Sequence, residues 1–149
     1  MNMGKPNIEE PSILGIEEIA IAVKDAEEGA SLFKALFGFD FELKWEIPLE
    51  KIKVKSHRIG KTQLQFLAST SQESVVAKFI EQKGEGLNHI ALRVKNLKAL
   101  IVRLKEKGVQ LVPQELLTIP NPLGGSASMS YIFIHPKSAL GVLIELIEY

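Results

Sequence analysis

Across residues 16–23 apolar positions alternate with polar or small ones. Ile19, Ile21 and Val23 fall on one face of an extended chain, and Glu18, Ala20 and Ala22 on the other. Successive strand side chains point to opposite faces, so this segment predicts a strand with one greasy side. Asp25, with Glu28 three residues on, is a helix-start signal that puts Asp25 at the N-cap. Ala26, Ala30, Phe33 and Phe37 then recur at helical spacing, and Gly38 stops the helix. Further strands are expected over 39–45, over 51–58 and, after the Gly60-Lys61 turn, over 63–67. Residues 71–82 read as a connecting helix with Val75, Val76, Phe79 and Ile80 facing inward and Gly84 closing it.

The pattern then restarts. EIAIAVKDAEEGASLFKALFGF, beginning at Glu18, can be laid over HIALRVKNLKALIVRLKEKGVQ, beginning at His89, a shift of 71 residues. Both read X-I-A-[IL]-X-V-K-[DN] followed by a helix that ends at a glycine, Gly38 or Gly108. The second half continues through 131–134 to a last strand over 141–147. An internal repeat of this kind points to two similar modules. The organisation expected is a flexible leader over 1–12 and a single domain over 13–148. That domain divides into a βαβββ module (13–70), the connecting helix (71–84) and a second βαβββ module (85–148).

Composition narrows the setting. The chain has 149 residues, 46% hydrophobic and 24% charged, which is ordinary for a globular domain. It has no Cys, which fits a reducing cytoplasm and excludes thiolate metal sites and Cys nucleophiles. Eighteen basic residues balance eighteen acidic ones, so no nucleic-acid partner is expected. The one basic enrichment, Lys51, Lys53, Lys55, Arg58 and Lys61, alternates like the exposed side of a strand. No apolar run approaches the roughly 20 residues of a membrane span, and the first twelve residues lack the apolar core of a signal peptide. The expected partner is a small molecule or a second copy of the chain.

The repeat also organises the polar residues. Glu18 and His89 occupy equivalent positions on the first strand of each module, beside small residues. Gln65, in L-Q-F-L, and Glu145, in L-I-E-L, lie on the last strand of each module. Glu145 shares a face with Leu143 and Ile147, and a metal is one way to hold a charge on an apolar face. Two modules related by a pseudo-twofold bring Glu18, Gln65, His89 and Glu145 together, one nitrogen and three oxygens that suit a divalent ion with open positions. Gln65 also reads as an ordinary half-exposed strand residue. Of the neighbours Glu17 and Glu18, the alternation turns Glu18 inward and leaves Glu17 solvated.

With these residues in place, the chain resembles the vicinal oxygen chelate (glyoxalase/bleomycin resistance/dioxygenase) superfamily, and within it the methylmalonyl-CoA epimerase family. The segments that carry the resemblance are IAIAVKDAEE, SVVAKFIEQKGEGLNHIALRV, RLKEKGVQL and FIHPKSALGVLIELIE, spread over most of residues 16–148. The resemblance implies an α+β fold in which two βαβββ modules form a curved mixed sheet around a metal site. It implies one divalent ion (Co, Mn, Ni or Zn) held by Glu18, Gln65, His89 and Glu145. It further implies epimerisation of methylmalonyl-CoA or a related branched acyl-CoA by α-proton abstraction through a metal-stabilised enolate, and a cytoplasmic homodimer. Glu145 is then ligand and base together, with Glu50 as the second catalytic carboxylate.

Two positions depart from the family pattern. Glu18 stands where the epimerases usually have His, although glyoxalase I enzymes use similar Glu/Gln/His/Glu sets. The Glu that epimerases place directly after a Pro falls on Leu49, with Glu50 one place later. Two alternatives remain: a glyoxalase I-like lactoylglutathione lyase, and a metal-free small-molecule binding protein with a dry apolar cup. Elsewhere, His57 reads as a surface residue, His135 as part of a turn with Pro136, and residues 118–128 as a surface loop with a lid role. Trp45, Phe39 and Phe41 read as packing residues.

Overall fold

The computed structural model describes residues 9–125 and 127–149. β1 (Ser12–Ala22) leads to α1 (Ala26–Phe37), which starts where the Asp25 carboxylate accepts from the backbone N–H groups of Glu27 and Glu28, at 2.9 and 3.1 Å. It ends at Gly38, whose φ of 74° lies in the left-handed region that glycine adopts freely. Then come β2 (Leu43–Ile47), a 3-10 turn (Pro48–Glu50), β3 (Ile52–Ile59) and β4 (Thr62–Ser69). α2 (Val75–Lys83) joins this half to β5 (Gly86–Lys95), α3 (Leu97–Glu106), β6 (Leu111–Pro120), β7 (Ser128–Ile134) and β8 (Ile144–Glu148).

All eight strands make one curled sheet, a half-barrel, in the order β2-β3-β4-β1-β5-β8-β7-β6. β1 pairs parallel with β4 and β5 parallel with β8, while β1 and β5 run antiparallel at the centre. The two halves therefore carry the same connectivity on either side of the β1–β5 seam. Register repeats as well: Ala20 pairs with Gln65 and Ala91 with Glu145, so the two last-strand residues sit at equivalent points. This is the α+β fold expected from the repeat.

The outer face is covered by α1 over Val23, Phe41, Phe66 and Ala68, and by α3 over Val94, Ile132 and Leu146. On the inner face Ala20 and Ala22 are fully buried among Ile52, Val54 and Leu67, with α2 packed against them through Val76, Phe79 and Ile80. Each large side chain so buried stabilises the fold by roughly 1.5–3 kcal/mol. The small residues of β1 thus face the more crowded side, and Ile19, expected on the greasy side, is 36% exposed.

Several boundaries shift for local reasons. The strand expected over 39–45 begins only at Leu43, because Phe41 turns at φ 45° to stack on Phe66 with ring centroids 4.6 Å apart. The connecting helix begins at Val75 because Ser74 caps it, accepting from the Ala77 N–H at 3.0 Å. Val75 does not face inward; it is 72% exposed. The last strand starts at Ile144 because Leu140 and Gly141 adopt left-handed φ values of 58° and 86°. Both ends of the expected 118–128 loop are strand instead, with Thr118 paired to Ser130 and Pro120 to Ser128.

Of the expected leader, residues 1–8 lie outside the described residues. Its last part is tied down: Glu9 pairs with Lys95 at 2.6 Å, Glu10 pairs with Arg103, and Ser12 opens β1. The basic side of β3 is exposed at Lys53 and Arg58 as expected, while Lys55 pairs with Glu27 of α1 at 2.7 Å. His57 is also held, stacked on Phe39 with ring centroids 4.6 Å apart and 2.9 Å from Glu42. Among the described residues no helix is long and apolar enough to cross a membrane.

Candidate active site

The inner face of the half-barrel gathers the residues that the repeat singles out. Glu18 projects from β1, Gln65 from β4, His89 from β5 and Glu145 from β8, and all four line one cup. They are buried, with exposures of 7%, 3%, 6% and 6%. One ligating atom each from Glu18, His89 and Glu145 lies within 4.8 Å of the others. His89 Nε2 is 2.9 Å from Glu145 Oε2 and 3.6 Å from Glu18 Oε2, without hydrogen-bond geometry to either.

The chemistry of the donor set fits a cation. Two carboxylates, an imidazole and an amide converge in an apolar wall, where unpaired acidic groups are costly. His89 Nδ1 donates to the Asn88 side-chain oxygen at 2.8 Å, so in the neutral ring that a metal requires the lone pair sits on Nε2, toward the carboxylates. The cup encloses only about 30 Å³, room for an ion and a water but not for an organic substrate.

Without a cation the electrostatics are strained. Burial works against a charged His89, but its contacts with Glu145 and Glu18 overcome this and push its pKa up to about 10. Burial and the neighbouring Glu18 push the Glu145 carboxyl up, against the pull of His89.

Glu50 reaches the same cup from the 3-10 turn. In that turn Leu49 is 65% exposed, whereas Glu50 lines the cup. Burial raises the Glu50 carboxyl, with His89 lowering it and Glu18 raising it further.

The sequence reading missed several neighbours. Glu17 is not solvated but 4% exposed, 3.7 Å from Arg93, whose guanidinium lies over the Tyr149 ring at 5.2 Å. Trp45 is more than packing, because its indole N–H is buried, unpartnered and at the cup wall. The Tyr131 hydroxyl is likewise buried without a partner, and burial with the charges of Glu50 and Glu145 pushes it far up. The three buried polar side-chain atoms that lack a partner among the described residues, Trp45 Nε1, His89 Nε2 and Tyr131 Oη, all belong to residues of this cup. Such atoms are rare in folded proteins and mark a place where a polar ligand completes the bonding. Alternation along β7 puts Tyr131 and Phe133 on one face, the one signal that could have found it.

A second cavity of about 590 Å³ adjoins the cup and shares Glu50, Ile52, Leu67, His89 and Phe133 with it. Its remaining wall is mostly apolar, with Leu49, Val75, Val112 and Leu143, and its size is that of small-molecule sites generally. His135 borders it from a turn, where its Nδ1 accepts from the Lys137 N–H at 3.0 Å.

A half-barrel of paired modules with acidic and imidazole groups at its centre defines a class. The Glyoxalase/Bleomycin resistance protein/Dioxygenase superfamily model matches residues 17–119, and the chain belongs to that superfamily. The human mitochondrial methylmalonyl-CoA epimerase is 30% identical over 132 residues, 88% of this chain and 72% of that protein. The crystal structure of methylmalonyl-CoA epimerase from Mycobacterium tuberculosis superposes with a TM-score of 0.79 at 31% identity, covering 91% of this chain and 88% of that one. A methylmalonyl-CoA epimerase in complex with methylmalonyl-CoA and an ammonium ion superposes at 0.81 and 28% identity, covering 92% and 95%. The expectation of a methylmalonyl-CoA epimerase-like isomerase therefore stands.

Proposed function

We propose that the chain is a metal-dependent epimerase of methylmalonyl-CoA or a closely related branched acyl-CoA, acting on the α-carbon between thioester and carboxylate. The observation that carries this reading is the buried Glu18/His89/Glu145 group, with Gln65 beside it, opening onto an apolar cavity large enough for an acyl thioester. A metal-free binding protein would need no such cluster. Glu18, Gln65, His89 and Glu145 would hold one divalent ion, with Co, Mn, Ni and Zn all compatible with these donors. Such an ion supplies Lewis-acid stabilisation for the oxygen on which charge develops as the α-proton leaves.

The chain's own groups handle the proton. Glu50 approaches from the 3-10 turn and Glu145 from β8, and one takes the α-proton while the other returns a proton to the opposite face, inverting the centre. A carboxyl raised by burial is a stronger base than one in water, and this supports the role of Glu50. The Tyr131 and Trp45 donors are available to substrate oxygens. A homodimer completes the proposal on the strength of the family likeness, and a cytoplasmic setting is supported by the cysteine-free composition. The test is paired. His89→Ala should lose both bound metal and activity, and Glu50→Gln should keep its metal while losing epimerisation. A His89→Ala protein with full metal content contradicts the site.

A further inference from the structure

Beside Gln65, Gln63 also lines the cup and ties it to the buried Ser56, a polar chain that the proposed reaction does not use. Ser56 of β3 is fully buried, and Gln63 of β4 is 1% exposed. The Ser56 hydroxyl donates to Gln63 Oε1 at 2.8 Å, and the Gln65 amide nitrogen donates to the same oxygen at 3.1 Å. Gln63 sits opposite Glu18 in the β1–β4 register, two residues from Gln65 on the same strand face.

The donor and acceptor inventory makes this arrangement directional. A glutamine amide offers one acceptor oxygen and one NH₂ group, and its orientation is set by its neighbours. Gln63 presents the oxygen that accepts from Ser56, and Gln65 meets that oxygen with its nitrogen. The flipped amide would place two carbonyl oxygens 3.1 Å apart in a buried site. With its nitrogen committed, Gln65 has its own oxygen left for the cup, the donor atom a hard or borderline cation requires.

We propose that Gln63, anchored by Ser56, is a positioning residue that locks the Gln65 amide with its oxygen toward the Glu18/His89/Glu145 cluster. The inference rests on the metal reading above and deepens it, extending the site from four residues to six. Outer partners of this kind typically change metal affinity by roughly 10–100-fold.

The experiment measures cobalt(II) affinity by competition with a chelator for the wild-type chain, Gln63→Met, Gln65→Met and the double variant. Gln63→Met should bind roughly 10–100-fold more weakly. The double variant should bind no more weakly than Gln65→Met alone, because Gln63 acts through Gln65. A folded Gln63→Met with wild-type affinity overturns the proposal, and so does a double variant whose losses multiply. Should Gln63→Met fail to fold, Ser56→Ala in the wild-type and Gln65→Met backgrounds reads the same coupling. A wild-type chain that binds none of cobalt, manganese, nickel or zinc overturns the metal reading itself, and this proposal with it.

Discussion

Replacing Glu145 by Gln separates stability from metal binding. In the metal-free protein the Glu145 carboxylate lies 2.9 Å from His89 Nε2, and a Glu18 ligating atom lies within 4.8 Å. At an effective dielectric near 20, the first distance gives roughly 6 kcal/mol of attraction to a protonated imidazole, and the second roughly 3.5 kcal/mol of repulsion. The net gain, about 2 kcal/mol, is opposed by a desolvation penalty of several kcal/mol for a buried ion. Glu145→Gln should therefore leave the metal-free protein as stable as wild type, or up to about 2 kcal/mol more stable, allowing for the hydrogen bonds a buried amide still needs. For a chain of this length each kcal/mol moves Tm by about 2–4 °C. Metal affinity should fall by at least the roughly 10–100-fold seen for outer partners, because a charged ligand is lost. Thermal unfolding by circular dichroism on chelator-treated protein, with a metal competition titration alongside, reads both. A metal-free Tm lowered by more than about 4 °C would show Glu145 to be structural, and an unchanged metal affinity would remove it from the site.

Three further outcomes follow from the structure. His89, with its pKa pushed up to about 10 in the metal-free protein, is charged at pH 8, whereas a metal requires it neutral, so binding should expel about one proton. Calorimetry in buffers of different ionisation enthalpy measures this, and a binding enthalpy independent of buffer refutes it. Because this pKa is raised from 6.5, the stability it contributes to the metal-free protein is complete below 6.5 and lost as pH rises through about 10. Leu97→Ala, at the fully buried first position of α3, should lower stability by about 2–5 kcal/mol with metal affinity unchanged, by thermal unfolding and the metal competition titration.

What the sequence made legible was whatever local rules and the repeat control. Asp25 caps α1, Gly38 ends it, and the 71-residue shift from Glu18 to His89 recurs in the β1–β4 and β5–β8 registers. Alternation also placed Glu145 on the inner face. Alternation misjudged Glu17, because its burial depends on Arg93 and Tyr149 reaching it across the sheet. It was silent on Leu49 and Glu50, which sit in a 3-10 turn where the two-residue period does not apply. Val75 looked like a core residue by composition, yet the Ser74 cap rotates the first turn of α2 and leaves it at the mouth of the larger cavity. The unpartnered atoms of Trp45 and Tyr131 come from β2 in one module and β7 in the other, so only the closed half-barrel shows that they share a wall with His89.

In the proposed function this cup removes an α-proton with the help of a bound divalent ion. Proton NMR of methylmalonyl-CoA in D₂O follows it directly, comparing metal-loaded protein with chelator-stripped protein and with substrate alone. The α-proton signal should disappear rapidly with metal-loaded protein and at the background rate with stripped protein. Loss of the signal at the background rate with metal bound, or equally fast loss after stripping, would contradict it.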